Sequence, residues 1–96
     1  MPPTVHFLGV VMDDKKFKEM LEETSIVVRK SFEEDWEIIK SEASIYQIDI
    51  PSTLDPFDVS SIKVFMELLS PQDSYMRYKL KIHVDLVSLF KKTQIL

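Results

Sequence analysis

Residues 75–87, YMRYKLKIHVDLV, are the stretch on which the fold turns. Met76, Tyr78, Leu80, Ile82, Val84 and Leu86 occupy every second position, and Arg77, Lys79, Lys81, His83 and Asp85 fill the gaps. Side chains alternate across a strand with period two, so the pattern predicts a half-buried β-strand, apolar on one side and charged on the other. At about 3.3 Å per residue it would run roughly 40 Å, far beyond a usual strand, and would have to bend or join two neighbours.

Working backward, IKVFMELL (62–69) is ambiguous. Ile62, Val64, Met66 and Leu68 fit a strand, whereas Ile62, Phe65, Met66 and Leu69 fit a helix. The following SPQDS (70–74) has turn composition, and a hairpin between 62–69 and the long strand would satisfy both backbones. IYQIDI (45–50) alternates and stops at Pro51, which predicts another strand. PSTLDPFDVSS (51–61) is the longest loop, with Pro56 biasing Asp55 toward extended backbone. LVSLFKKTQIL (86–96) leaves room for a short C-terminal helix, with Lys91 and Lys92 toward its negative end.

At the other end, TVHFLGVVM (4–12) is short, apolar and rich in β-branched residues, so it predicts a first strand buried on both faces. Asp13 or Asp14 then caps a helix that begins near Asp14 and carries Phe17, Met20, Leu21 and Thr24 at helical spacing. Two continuations stay open. The stripe can extend through Val28, Phe32, Trp36 and Ile39 as one long helix, or SIVVRKSF (25–32) can be a strand turning at EEDW (33–36). The lack of Gly or Pro in EEDWE leans toward the long helix. The whole predicts one α+β domain over residues 1–96 in the order β-α-β-β-β, a mainly antiparallel sheet packed on one main helix.

Ninety-six residues suit one domain with one core, and 45% hydrophobic with 29% charged residues is a folded composition. The chain has no cysteine, no apolar run near the roughly 20 residues of a membrane span, and no basic region ahead of its first apolar run. These features point to a soluble intracellular protein without disulfides or thiolate metal sites. The net charge of −4 is uneven: residues 1–74 carry 7 positive and 15 negative groups, and residues 75–96 carry 5 and 1. The segments at −8 and +4 can pair within one fold, or between copies head to tail, or offer the basic end to an anionic partner.

Catalytic constellations are missing. There is no nucleophilic cysteine and no G-x-S-x-G elbow, and the lone Gly9 cannot build a phosphate loop. His6 and His83 have no metal-pair spacing, and Asp13-Asp14 and Glu33-Glu34-Asp35 suit a helix start and a solvated face. The reading is therefore non-enzymatic, with no cofactor and no metal. Two surfaces are candidates for binding. Arg77, Lys79, Lys81 and His83 would line one strand face about 7 Å apart, a spacing that meets phosphates or an acidic protein, and equally one that guards a sheet edge against aggregation. Trp36, Phe57, Phe65 and Tyr75 are candidate interface anchors, because aromatic side chains dominate interface hot spots.

The order of pieces resembles one half-domain of the PCNA-like and checkpoint DNA sliding clamps. VHFLGVVM leads into the helical DKKFKEMLEE, and YKLKIHVDL runs into LVSLFKKTQ, with the sequence likeness confined to residues 80–92. That resemblance implies a ring assembled through strand edges, with Lys15, Lys16, Lys18, Lys91 and Lys92 facing DNA. The chain departs from it in holding a single half, in the acidic Glu19, Glu22 and Glu23 of its first helix, and in its long 51–61 loop. Sequence alone thus favours a protein-interaction or assembly module, acting as a homo-oligomer or as a small subunit of a larger complex. The alternative is a nucleic-acid-binding protein, clamp-like or otherwise. Neither reading involves a membrane.

Overall fold

The structure, a computed structural model, describes residues 4–7 and 10–96, with side chains from residue 13 onward. Its body is three helices: α1 (Asp14–Ile45), α2 (Val59–Glu67) and α3 (Ser74–Lys92). A 3-10 turn, Pro71–Asp73, joins the last two. Ahead of them β1 (Thr4–Phe7) and β2 (Val10–Asp13) pair antiparallel, Thr4 opposite Asp13 and Phe7 opposite Val10. The expected burial of a first strand on both faces falls outside the described side chains.

The expected α+β fold is therefore corrected. Among the described residues the only sheet is the two-stranded β1–β2 hairpin at the start of α1, where one strand over 4–12 was expected, and residues 45–50, 62–69 and 75–87 contain no strand. The decisive error lies in 75–87. In a helix, residues two apart point about 200° away from each other, so alternate positions land on opposite sides. Met76, Leu80 and Val84, with His83 and Val87, form one stripe at spacings of three and four and are buried. Tyr78, Ile82 and Leu86 form another, facing out. A helix with two apolar stripes mimics strand alternation. Its residues are mostly good helix formers, and no Gly or Pro interrupts it after Pro71.

The same competition decides 62–69. Ile62 is fully buried, and Phe65, Met66 and Leu69 pack against the core, while Val64 and Leu68 are exposed. The helical set wins over the hairpin because Asp58 caps it, accepting from the Ser61 N–H at 3.1 Å and the Ser61 hydroxyl at 2.8 Å.

The long continuation of the first helix holds and reaches past Ile39 to Ile45. Asp13 is its N-cap, accepting from the Lys16 N–H at 2.7 Å. Its C-terminus replaces the expected 45–50 strand with a left-handed cap. Gln47 has φ 60°, the Ile48 N–H bonds the Ala43 carbonyl at 2.8 Å, and the Gln47 N–H bonds Ser44 at 3.1 Å. α3 ends the same way, with Gln94 at φ 63° and Ile95 bonded back to Phe90.

The core joins Trp36, Ile39 and Ala43 of α1 to Ile50, to Ile62 of α2 and to Met76, Leu80 and Val84 of α3. α3 runs antiparallel to α1: Tyr75 at its start bonds Glu42, and Phe90 near its end packs edge-on against Phe32 at 5.6 Å. At 1.5 Å per residue α1 is about 48 Å long and α3 about 28 Å, so the N-terminal part of α1 runs beyond the bundle. There Ile26 and Val27 are each 69% exposed.

Candidate interaction groove between the first and third helices

The outer stripe of α3 reads Tyr75, Lys79, Ile82, Leu86, Leu89, in steps of four and three. That is the spacing of a coiled-coil seam, with one lysine among apolar positions. It is separate from the stripe that meets the core, so α3 is committed on one side and unpartnered on the other. On α1, Ile38 is 57% exposed on the facing wall. Between the two helices lies an open groove of about 280 Å³. Phe32, Ile39 and His83 contribute to its floor, and Ile38, Ile82 and Leu86 to its walls.

Charge is divided across this groove. Asp35 and Glu42 stand on the α1 side and Lys79 on the α3 side. Glu42 accepts from the Tyr75 hydroxyl at 3.1 Å, and the Tyr75 ring lies 5.5 Å from Tyr46. The Lys79 ammonium sits 5.7 Å from the centroid of the Tyr75 ring. Among the described residues none of Asp35, Glu42 and Lys79 forms an ion pair within the chain.

His83 anchors the groove from beneath. Its Nε2–H donates to the Pro56 carbonyl at 2.7 Å, and its ring packs against Phe32 at 5.6 Å and Trp36 at 5.0 Å. Burial pushes its pKa below the ordinary 6.5, against the opposing pulls of the Pro56 carbonyl and the Asp35 charge. The imidazole ties the 51–58 loop to α3 in its neutral form.

The four residues of the supposed basic strand row do not share a face. The Arg77 guanidinium donates to the Leu69 carbonyl at 2.7 Å and the Ser70 carbonyl at 3.4 Å, tying α3 to the connection after α2. Lys79 borders the groove, Lys81 lies 4.0 Å from Asp85, and His83 is buried. A helix separates by about 200° what a strand would align. Of the four aromatic candidates, Trp36 is core at 4% exposure, Phe57 and Phe65 are half-buried, and Tyr75 is exposed at the groove's end. Phe57 stacks under Arg29 at 4.7 Å and meets Phe32 edge-on at 6.2 Å. The sequence reading missed Ile38 and Leu89. It placed Ile82 and Leu86 in a buried strand face, though their three-and-four spacing from Tyr75 was visible.

A larger cleft, about 730 Å³, lies on the other side of α1 against the 51–57 loop. Its rim mixes cations with carboxylates, Lys40 pairing with Glu37 at 2.7 Å, and it presents no apolar stripe. Among the described residues no three His, Asp or Glu side chains are placed to hold a metal ion, and no helix is long and apolar enough to cross a membrane. Comparison of the chain with protein-family models, with curated proteins and with solved structures finds no match.

Proposed function

We propose that the chain is a non-enzymatic protein-interaction module that works through the groove between α1 and α3. The observation that carries this reading is the second apolar stripe of α3, a seam-spaced row in which Ile82, Leu86 and Leu89 stay 39% to 54% exposed. Scattered exposed apolar residues are ordinary, but a contiguous row on one helix face is what helix-in-groove recognition and helical assembly use. The divided charges beside it suit orientation of a partner, since rim charges set register and encounter rate more than affinity.

The test is a photoreactive residue at position 82, compared with one at exposed Ser60 on α2. Irradiation in cells yields a protein adduct from position 82 and none from position 60. No adduct from position 82 overturns the proposal. DNA binding that weakens steeply with salt would favour the nucleic-acid alternative instead.

A further inference from the structure

We infer that the partner seated on this groove is a second copy of the chain, forming a two-fold four-helix bundle in which α1 of each protomer lies against α3 of the other. The inference rests on the interaction-module reading and names its partner.

The first argument is charge. A two-fold axis running along the groove leaves heights along it unchanged and exchanges the two helices. Glu42 and Lys79 both border one stretch of the groove, as the Glu42–Tyr75–Lys79 chain of contacts shows. The rotation therefore brings Glu42, and beyond it Asp35, opposite Lys79 of the other copy. These three groups, without an ion pair among the described residues of one chain, find one between two. The complementarity belongs to the groove alone: its acids are Asp35 and Glu42 and its cation is Lys79, whereas Glu33, Glu34, Glu37 and Lys40 line the cleft on the other side of α1. A seam with a single lysine is also the arrangement that fixes register and oligomer size in helical assemblies.

The second argument is area. Ile38, Tyr75, Tyr78, Ile82, Leu86 and Leu89 are between 39% and 61% exposed. At about 100 Å² each the six offer on the order of 600 Å², at the upper end of the largest patch on a typical monomer. With flanking polar atoms the face approaches the roughly 800 Å² that each partner buries in a standard interface. The crossing is also self-consistent. α1 and α3 are antiparallel within a chain, so after the rotation each α1 meets an antiparallel α3, the arrangement of ordinary bundles.

The absence of cysteine makes the geometry directly testable. Chains carrying Glu42→Cys are mixed with chains carrying Lys79→Cys under mild oxidation, and each variant is also oxidised alone. A disulfide-linked heterodimer from the mixture, in several-fold excess over either homodimer, is the expected result. In parallel, light scattering follows mass over an about hundredfold dilution, with a dissociation constant expected near the micromolar range. Ile82→Glu raises it roughly a hundredfold and Ser60→Glu leaves it unchanged. Lys79→Glu raises it about tenfold, and adding Glu42→Lys recovers most of that loss. The last pair lies on the surface, so it decides the matter should Ile82→Glu disturb folding. A dimer indifferent to both perturbations overturns this placement. A wild-type monomer whose position 82 still cross-links to another protein overturns the dimer and leaves the interaction module standing. A monomer with no adduct overturns both.

Discussion

Leu80 and Ile82 sit two residues apart, and truncating each to alanine separates the helical reading of residues 75–87 from the strand reading. In a strand the two share a face and a fate. In α3, Leu80 is fully buried within the cluster of Trp36, Ile62 and Val84, whereas Ile82 is 39% exposed at the groove. Leu80→Ala removes buried carbons and leaves an enclosed cavity, a loss of about 3 kcal/mol. Ile82→Ala removes a similar amount of hydrocarbon, but from a site open to water that leaves no closed void, so the loss is about 1 kcal/mol or less. With a urea slope of about 1.5 kcal/mol/M, the midpoint falls by roughly 2 M for Leu80→Ala and by roughly 0.5 M for Ile82→Ala. Trp36 is the chain's only tryptophan and is 4% exposed, so its fluorescence reports opening of this core. The comparison is made at dilution, where the proposed dimer would be dissociated; if it forms, Ile82→Ala becomes costlier at high concentration than at dilution. Equal midpoint shifts at dilution would refute the two-stripe account of α3.

Three further outcomes follow from the same contacts. Burial disfavours the His83 cation and holds its pKa below 6.5 in the fold, so its contribution to stability is constant above that pH. Below that it declines, as the unfolded chain takes up a proton that the folded chain resists, and it levels once the folded pKa is passed. His83→Gln removes that portion of the slope in a series of urea titrations against pH. Asp58 has its pKa lowered by the Ser61 hydroxyl and then the Ser61 N–H, so its cap contributes in full above the ordinary carboxylate range and fades as pH falls below that range through the lowered pKa. Asp58→Asn retains most of the thermal midpoint and Asp58→Ala lowers it, and a scan in which both match wild type would show that the cap carries no stability. Gln47→Gly and Gln94→Gly relieve left-handed backbone at φ 60° and 63° and raise unfolding free energy by up to about 1 kcal/mol each, measurable as a higher urea midpoint.

The N-terminal half of the fold is easier to read from sequence than the C-terminal half, for a physical reason. Asp13 caps α1, and the stripe Phe17, Leu21, Thr24, Val28, Phe32, Trp36, Ile39 continues at one period without a breaker, so periodicity and local chemistry agree. In α3 they conflict. Two apolar stripes roughly opposite each other fill alternate positions, and period two then outscores 3.6 within a window of a dozen residues. Helix propensity favoured the right answer: residues 75–87 hold Met76, Arg77, Leu80, Lys79, Lys81 and Leu86, with only Ile82, Val84 and Val87 β-branched. Residues 45–50 fail for another reason. The chain leaves α1 through a glutamine in the left-handed region, where the usual sequence signal is glycine, so the stop at Gln47 is silent. The groove inherits the first error. Once Ile82 and Leu86 are assigned to a buried strand face, the surface they form on α3 cannot be seen.

The feature that misled the reading of α3 is also what makes it a candidate binding element. A helix at the edge of a small bundle needs one apolar stripe to hold its place, and Met76, Leu80, Val84 and Val87 supply it with almost no exposed area left. A second stripe adds nothing to that packing and exposes Ile82, Leu86 and Leu89 to water. In a domain of this size it would raise the risk of nonspecific association, unless something covers it. The flanking charges narrow what can cover it. Lys79 breaks the seam at one position, and Asp35 and Glu42 on the α1 wall would repel the same wall of a second copy, so the proposed pairing sets α1 on α3 and not α1 on α1. Fold and the proposed pairing thus draw on the same nineteen-residue helix from different sides, and the proposal expects a charge introduced at Ile82 to dissociate the copies while one introduced at Leu80 unfolds the chain.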